Sequence, residues 1–158
     1  MQLLVWAVSL FVVLPVVASE RLESAEVLDM LQRMQGRWRS ECRPVDTGPN
    51  HGYQQTRLVV SFTHFTFSTI EYANAQCLTE RSRWQAKYRF ILGSPLQTHD
   101  GKVAFDVDFS SEGATGTGAL YSHNLVHVQS GILLLGRTPV TPSKERSQQL
   151  DYSAVFSR

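Results

Sequence analysis

The sequence predicts a mainly β protein, an antiparallel up-and-down barrel of about eight strands preceded by one short N-terminal helix. Beyond Gly36, apolar residues alternate with polar ones at a period of two, which is typical of half-buried strands. Turn-forming residues separate the alternating segments at short intervals. The 158 residues are enough for one domain with a core and too few for two. Closing such a sheet into a barrel removes its exposed edges.

The charge balance limits the classes of partner. Fifteen Lys and Arg residues face 14 Asp and Glu residues, which gives a formal net charge of +1. Nucleic-acid binding calls for a concentrated basic surface, so we expect no nucleic-acid partner. The arginines are scattered along the chain among acidic residues. This pattern is typical of solvated faces rather than of a phosphate-binding stripe.

The first residues have the composition of an export signal. An apolar run from Leu3 to Val17 is shorter than the roughly 18 to 20 residues that a membrane-spanning helix needs. Pro15 and the small residues Ala18 and Ser19 fit a cleavage region. The sequence predicts a signal peptide at residues 1–18 and a secreted or periplasmic mature chain without a transmembrane segment. A retained N-terminal anchor is the alternative.

An amphipathic helix is predicted over residues 19–35. Its apolar residues fall at helical spacing, at Val27, Leu28, Met30, Leu31 and Met34. Gly36 stands where a left-handed residue ends many helices. Residues 36–158 then form the barrel domain.

The strands follow from the alternation and its breaks. We expect them near residues 37–43, 54–62, 65–73, 82–92, 102–110, 115–128, 131–136 and 149–156. A change of parity at Thr63-His64 predicts a tight hairpin. The stretch 112–130 fits either a pair of strands or a short helical insertion.

The two cysteines, Cys42 and Cys77, are predicted to pair. In an exported chain an even pair most simply forms one disulfide. Two free buried thiols, or half of a metal site, are the alternatives, although a zinc site needs further Cys or His ligands nearby.

A family resemblance rests on the segment Gly36-Arg37-Trp38-Arg39-Ser40-Glu41-Cys42 together with the alternating aromatic residues up to Glu71-Tyr72 and then Cys77. Gly36 and Trp38 resemble the Gly-x-Trp motif of lipocalins. The longer pattern is similar to the lipocalin-like repeat in the ectodomain of the adenomatosis polyposis coli down-regulated Wnt inhibitor, and to short exported bacterial proteins with a Trp-x-Ser-x-Cys opening. The resemblance implies a barrel that Trp38 closes at one end and that admits an apolar ligand at the other.

No catalytic motif is present. The sequence lacks Gly-x-Ser-x-Gly, Gly-x-x-x-x-Gly-Lys and His-Glu-x-x-His, so we expect neither an enzyme nor a bound cofactor. His123 and His127 are weak candidates for metal ligands, with His99 or Asp106 as a third ligand. Surface histidines explain the pair equally well, and we predict no metal site.

Two functional hypotheses remain. In the first, the protein is a small exported binding module that holds a lipid or another apolar small molecule inside the barrel. The candidate ligand-binding residues are Leu58, Val60, Phe62, Phe67, Trp84, Tyr88, Phe105 and Val107. In the second, the same residues fill the barrel, and the protein acts through its surface as an inhibitor or as an envelope accessory that binds another protein.

Overall fold

A computed structural model describes residues 16–46, 51–111, 122–137 and 148–158 of the chain. It confirms a mainly β fold with one helix before the strands. Most of the predicted signal peptide, residues 1–18, lies outside the described residues. No helix in these ranges has the length and apolarity needed to cross a membrane.

One helix and nine strand segments make up the described chain. The helix is α1 (Val16–Met34). The strands are β1 (Gly36–Ser40), β2 (Arg43–Asp46), β3 (His51–Val60), β4 (His64–Tyr72), β5 (Glu80–Gln97), β6 (Val103–Ser111), β7 (Ser122–Gln129), β8 (Ile132–Leu135) and β9 (Phe156–Ser157).

The strands form one closed antiparallel barrel. From β3 to β9 each strand pairs with the next, and β1 pairs with both β3 and β9, which joins the two edges of the sheet. Segments β1 and β2 both run along β3 and are two parts of one strand, interrupted at Glu41-Cys42. The barrel therefore has eight strands, as predicted, and its architecture is consistent with a lipocalin-like fold.

The turns between the strands contain residues suited to them. Ser130 and Gly131 have φ angles of 51° and 76° in the two-residue turn between β7 and β8, which is the conformation that a tight hairpin demands. The turn between β3 and β4 occupies residues 61–63, so it begins two positions before the predicted hairpin at Thr63-His64. Strand β5 continues through Gly93-Ser94-Pro95, where a break was predicted, and accommodates these residues as an irregularity in its pairing with β6.

The predicted last strand, 149–156, is wrong in extent. The described chain forms a bridge at Leu150 and regular pairing only at Phe156–Ser157. The carboxylate of Asp151 accepts hydrogen bonds from the backbone N–H of Ser153 at 2.8 Å and from its hydroxyl at 2.6 Å. This local turn diverts the chain from the extended conformation. Leu150 packs outside the barrel against Leu125 and Leu134.

Helix α1 covers the end of the barrel at which β1 begins. Met30 and Met34 are buried with Trp38 and with residues from the strands. The guanidinium of Arg33 donates a hydrogen bond to the backbone carbonyl of Val128, at the end of β7, over 3.1 Å. We call this the helix end, and the opposite one, where β1 ends and β3 begins, the far end.

Candidate functional site

The strand register determines which side chains face the barrel interior. Val60, Phe65 and Tyr88 occupy paired positions on β3, β4 and β5, and Leu58, Phe67 and Ala86 form the next row. Because side chains alternate along a strand, every second residue of each strand shares this face. Along each of these strands, the second row lies closer to the far end than the first row does.

At the helix end, Gly36 and Trp38 occupy the junction between α1 and β1. Gly36 has φ of 118°, a backbone conformation that residues with a side chain rarely adopt. Trp38 is 2% exposed, and its indole N–H donates a hydrogen bond to the backbone carbonyl of Met34 over 2.9 Å. The guanidinium of Arg158 lies 4.7 Å from the centre of the indole ring. Trp38 thus packs beneath the end of the helix.

Aromatic rings fill the middle of the barrel. The ring of Phe65 meets those of Phe90 and Phe109 edge to face, with centroids 4.8 and 5.0 Å apart. These separations are typical of favourable aromatic pairs. All three side chains are buried, so the interior between the helix end and the middle is packed with side chains.

Toward the far end, the side chains of the interior face are less deeply buried. Phe67 and Tyr88 are only half-buried, although their rings lie 5.8 Å apart in an edge-to-face pair. The next row on the same face consists of Thr56, Thr69 and Trp84. Trp84 is 59% exposed. The far end therefore presents aromatic surface bordered by two threonine hydroxyls.

The predicted ligand-binding residues fall into three groups. Leu58, Val60, Phe105 and Val107 are fully buried in the core, whereas Phe67 and Tyr88 lie half-buried at its far-end margin. Phe62 and Trp84 are exposed, in contrast to the other six predicted residues. Phe62 lies in the turn after β3 and is 64% exposed. Trp84 shares the interior face by register, but it lies beyond the packed rows.

The predicted cysteine pair is within disulfide distance. Cys42 and Cys77 are joined, and their Cα atoms are 6.0 Å apart, a usual separation for a disulfide. The bond connects the interruption between β1 and β2 to the loop between β4 and β5. In that loop the side chain of Asn74 accepts a hydrogen bond from the backbone N–H of Leu78 over 3.0 Å. The disulfide thus fastens one side of the far end.

The two histidines of β7 do not approach each other. Both lie on the same face of an extended strand, and four residues at about 3.3 Å each separate their Cα atoms by about 13 Å. Nδ1 of His123 lies 2.8 Å from a carboxylate oxygen of Asp108, and Nδ1 of His127 lies 2.7 Å from the backbone carbonyl of Val103. In the described ranges, no three His, Cys, Asp or Glu side chains gather as metal ligands would.

A polar cluster lies in the hairpin between β5 and β6. The hydroxyl of Thr98 donates a hydrogen bond to the carboxylate of Asp100 over 2.6 Å, and the phenol of Tyr152 donates to the same carboxylate. The hydrogen bonds from Thr98 and Tyr152 lower the pKa of Asp100 below its ordinary value. The hydrogen bond to Asp100 raises the pKa of Tyr152 to about 12. The cluster ties the segment after Leu150 to the barrel.

The twelve arginines are scattered along the linear sequence, but the fold brings some of them together. Five of them line one groove on the outer face of β1, β3 and β5, near the chain end. They are Arg37, Arg39, Arg57, Arg83 and Arg158. Four of these come from strand positions that alternate with interior residues, but their gathering depends on the pairing of strands far apart in sequence. The distribution of charges along the sequence therefore does not predict this groove.

Comparison with models of protein families, with curated proteins and with solved structures finds no match.

Proposed function

We propose that the protein is an exported binding module that holds a lipid or another apolar small molecule at the far end of its barrel. The half-burial of Phe67 and Tyr88 carries this proposal. Each faces the barrel interior, yet each keeps exposed surface where the other aromatic residues of the core are buried. Covering this surface with an apolar ligand removes it from water and is favourable by roughly 25 cal/mol per Å².

The polar groups at the same end suit an amphipathic ligand. Thr56 and Thr69 stand beside Trp84 in one row of the interior face. Binding sites for small molecules are predominantly apolar and hold a few polar groups that orient the ligand. An apolar body against Phe67 and Tyr88, with a polar group near the threonines, matches this distribution.

The disulfide supports the exported location. Disulfides persist in oxidising compartments outside the cytosol, and Cys42 and Cys77 leave no free thiol in the described residues. This agrees with the signal peptide that the first 18 residues predict.

The second candidate function is a filled barrel that binds another protein through its surface. The close packing of Phe65, Phe90 and Phe109 favours it, because these rings occupy the middle of the interior. The two candidates differ in the far end alone, where the first requires a ligand against Phe67 and Tyr88.

Uptake of an uncharged fluorescent probe distinguishes them. N-phenyl-1-naphthylamine has no charge, so the arginines of the outer face do not attract it. We expect the wild-type protein to enhance its fluorescence and the Trp84→Ala variant to reduce that enhancement. Ile91→Ala is the matched control, since Ile91 is an exposed apolar residue on the outer face of the same strand. Equal enhancement by both variants, or none by the wild type, contradicts binding at the far end.

A further inference from the structure

The outer wall of the barrel carries a groove of about 350 Å³ whose charge is almost entirely positive. We call it the arginine groove. Its lining residues are Arg37, Trp38, Arg39, Arg57, Leu58, Val59, Ser68, Arg83, Ser157 and Arg158. None of these side chains is acidic. The groove is separate from the far end of the interior, because its four strand arginines alternate with interior residues and Arg158 lies at the helix end, over the ring of Trp38.

Among the described residues, few negatively charged groups pair with these five guanidinium groups. The carboxylate of Glu80 accepts two hydrogen bonds from Arg83, at 3.0 and 2.8 Å. Arg57 donates to the side-chain carbonyl of Gln55 over 3.3 Å and to the hydroxyl of Tyr72 over 3.1 Å. Both of its acceptors are neutral. Within the part of the chain that the structure describes, Glu80 is thus the one carboxylate side chain that forms an ion pair with an arginine of the groove.

The remaining three arginines have no carboxylate partner in the described ranges. Arg158 donates to the backbone carbonyls of Arg33 and Gln35, at 2.7 and 3.1 Å, and stacks on Trp38. Arg37 and Arg39 have no hydrogen-bond or ion-pair partner among the described residues, and both side chains are free to bind a ligand.

The strand pairing brings two of these cations together. Arg39 of β1 stands directly opposite Arg57 of β3, and Ser68 of β4 occupies the next position of the row. Like charges directly opposite each other destabilise an antiparallel pair. An exterior position tolerates many neutral residues, so packing gives no reason for two arginines here. An anion between them removes the repulsion.

The donor geometry of arginine specifies the kind of anion. A guanidinium group presents its N–H donors in a planar fork that matches the oxygens of phosphate. A phosphate monoester carries about −1.5 to −2 charges at neutral pH, so a ligand with two phosphate groups complements the positive charge of the groove. The volume lies within the range of small-molecule sites, about 300 to 1,000 Å³.

We propose that the arginine groove is a binding site for a ligand that carries two phosphate groups. The ligand is bound between Arg37, Arg39 and Arg57, with Arg158 at the border of the site. This site adds a second binding function to the barrel and does not depend on the apolar ligand proposed for the far end. A soluble compound with two phosphate groups and a lipid headgroup with two phosphate groups share this chemistry.

Titration calorimetry with inorganic pyrophosphate at low salt tests the site. We expect pyrophosphate to bind the wild-type protein, and Arg39→Gln to weaken binding about tenfold or more, since hydrogen bonds to charged groups are strong. Arg137→Gln, which removes an exposed arginine outside the groove, is the matched control and leaves the affinity unchanged. Absence of binding by the folded wild-type protein, or equal losses in both variants, overturns the proposal.

A stability measurement separates loss of the site from loss of the fold. Arg39→Gln removes one of two opposed charges, so its unfolding midpoint without pyrophosphate is expected to be equal to or higher than that of the wild type. Pyrophosphate raises the midpoint of the wild type, because a ligand that binds only the folded state stabilises it. An equal rise in Arg39→Gln contradicts the assigned site.

Vesicles distinguish the two sources of the ligand. Phosphatidylcholine vesicles with and without cardiolipin, whose headgroup has two phosphates, are sedimented with the protein. Sedimentation that requires both cardiolipin and Arg39, and that pyrophosphate reverses, assigns a lipid headgroup. Pyrophosphate binding without sedimentation assigns a soluble ligand. Sedimentation that persists in Arg39→Gln, together with no binding of pyrophosphate, rejects the phosphate site.

Discussion

The indole N–H of Trp38 donates a hydrogen bond to the backbone carbonyl of Met34, four residues earlier and 2.9 Å away. The last carbonyl groups of a helix have no partner within the helix, and a buried one is costly unless it is satisfied. Trp38 therefore has two roles: its ring fills the helix end of the barrel, and its nitrogen satisfies the end of α1. The same side chain joins the helix to the sheet.

Replacement of Trp38 by alanine is expected to reduce the free energy of unfolding by about 3 to 5 kcal/mol, because it leaves a cavity and an unsatisfied carbonyl. Guanidinium unfolding followed by circular dichroism measures the change. Trp84→Ala is the control, since the exposed ring of Trp84 leaves no cavity, and its effect is expected to stay within about 0.5 kcal/mol. A loss below about 1 kcal/mol for Trp38→Ala argues against its place beneath the helix.

Gly36→Ala is expected to destabilise the protein by about 1 to 3 kcal/mol through the backbone alone. An added Cβ at Gly36 meets no atom within 4 Å, so steric crowding does not contribute, whereas the φ of 118° is unfavourable for alanine. Gly52→Ala is the matched control, because its Cβ makes only an ordinary contact of 3.7 Å with a backbone oxygen of Tyr72. If the two variants unfold at the same denaturant concentration, the helix-to-strand junction does not require glycine.

Reduction of the Cys42–Cys77 bond is expected to cost roughly 4 kcal/mol, because the bond closes a loop over a sequence separation of 35 residues. Unfolding curves with and without reductant give this difference. Alkylation of the purified protein without reductant should leave its mass unchanged. A mass increase corresponding to two alkylated thiols refutes the pairing.

The contact between Asp100 and Tyr152 predicts an unusual tyrosine titration. The pKa of Tyr152 is raised to about 12, so the stability due to this contact is complete below pH 10 and is lost as the pH rises from 10 toward 12. The pKa of Asp100 is lowered, so its contribution is complete above the unfolded-state value of about 3.9 and is lost as the pH falls through the lower folded-state value.

Asp100→Asn should move the pKa of Tyr152 back toward 10, because it removes the carboxylate that accepts the hydrogen bond of the phenol and, with it, the negative charge that opposes formation of the phenolate. Absorbance at the phenolate band reports this change, and Tyr152→Phe identifies which titration step belongs to Tyr152. An unchanged titration curve in Asp100→Asn disproves the assigned contact.

The sequence predicted the barrel because the residues that face the core are apolar and alternate with polar residues along each strand, most clearly in β5 and β6. It did not show that Phe62 and Trp84 are exposed, because alternation reports which face of a strand a side chain occupies but not how far along the barrel axis it lies. The prediction of the last strand was wrong in extent because the carboxylate of Asp151 accepts hydrogen bonds from Ser153, and this local turn interrupts the extended chain although apolar residues alternate there.

The arginine groove could not be predicted from the linear sequence. Arg37 and Arg39 precede Arg57 by about 20 residues, and Arg83 and Arg158 lie much further along the chain. Acidic residues stand between them in the sequence, which gave the impression of balanced, solvated surfaces. The pairing of β1 with β3 and β9 assembles them, and this closure of the barrel is a long-range feature.

The most direct test of the proposed function is native mass spectrometry of the protein purified from its exported fraction. We predict a chain that carries a non-covalent apolar molecule, which organic solvent releases and which Trp84→Ala retains less well than Ile91→Ala. A chain of bare polypeptide mass, in a preparation that also fails to take up the uncharged probe, would contradict an apolar ligand at the far end of the barrel.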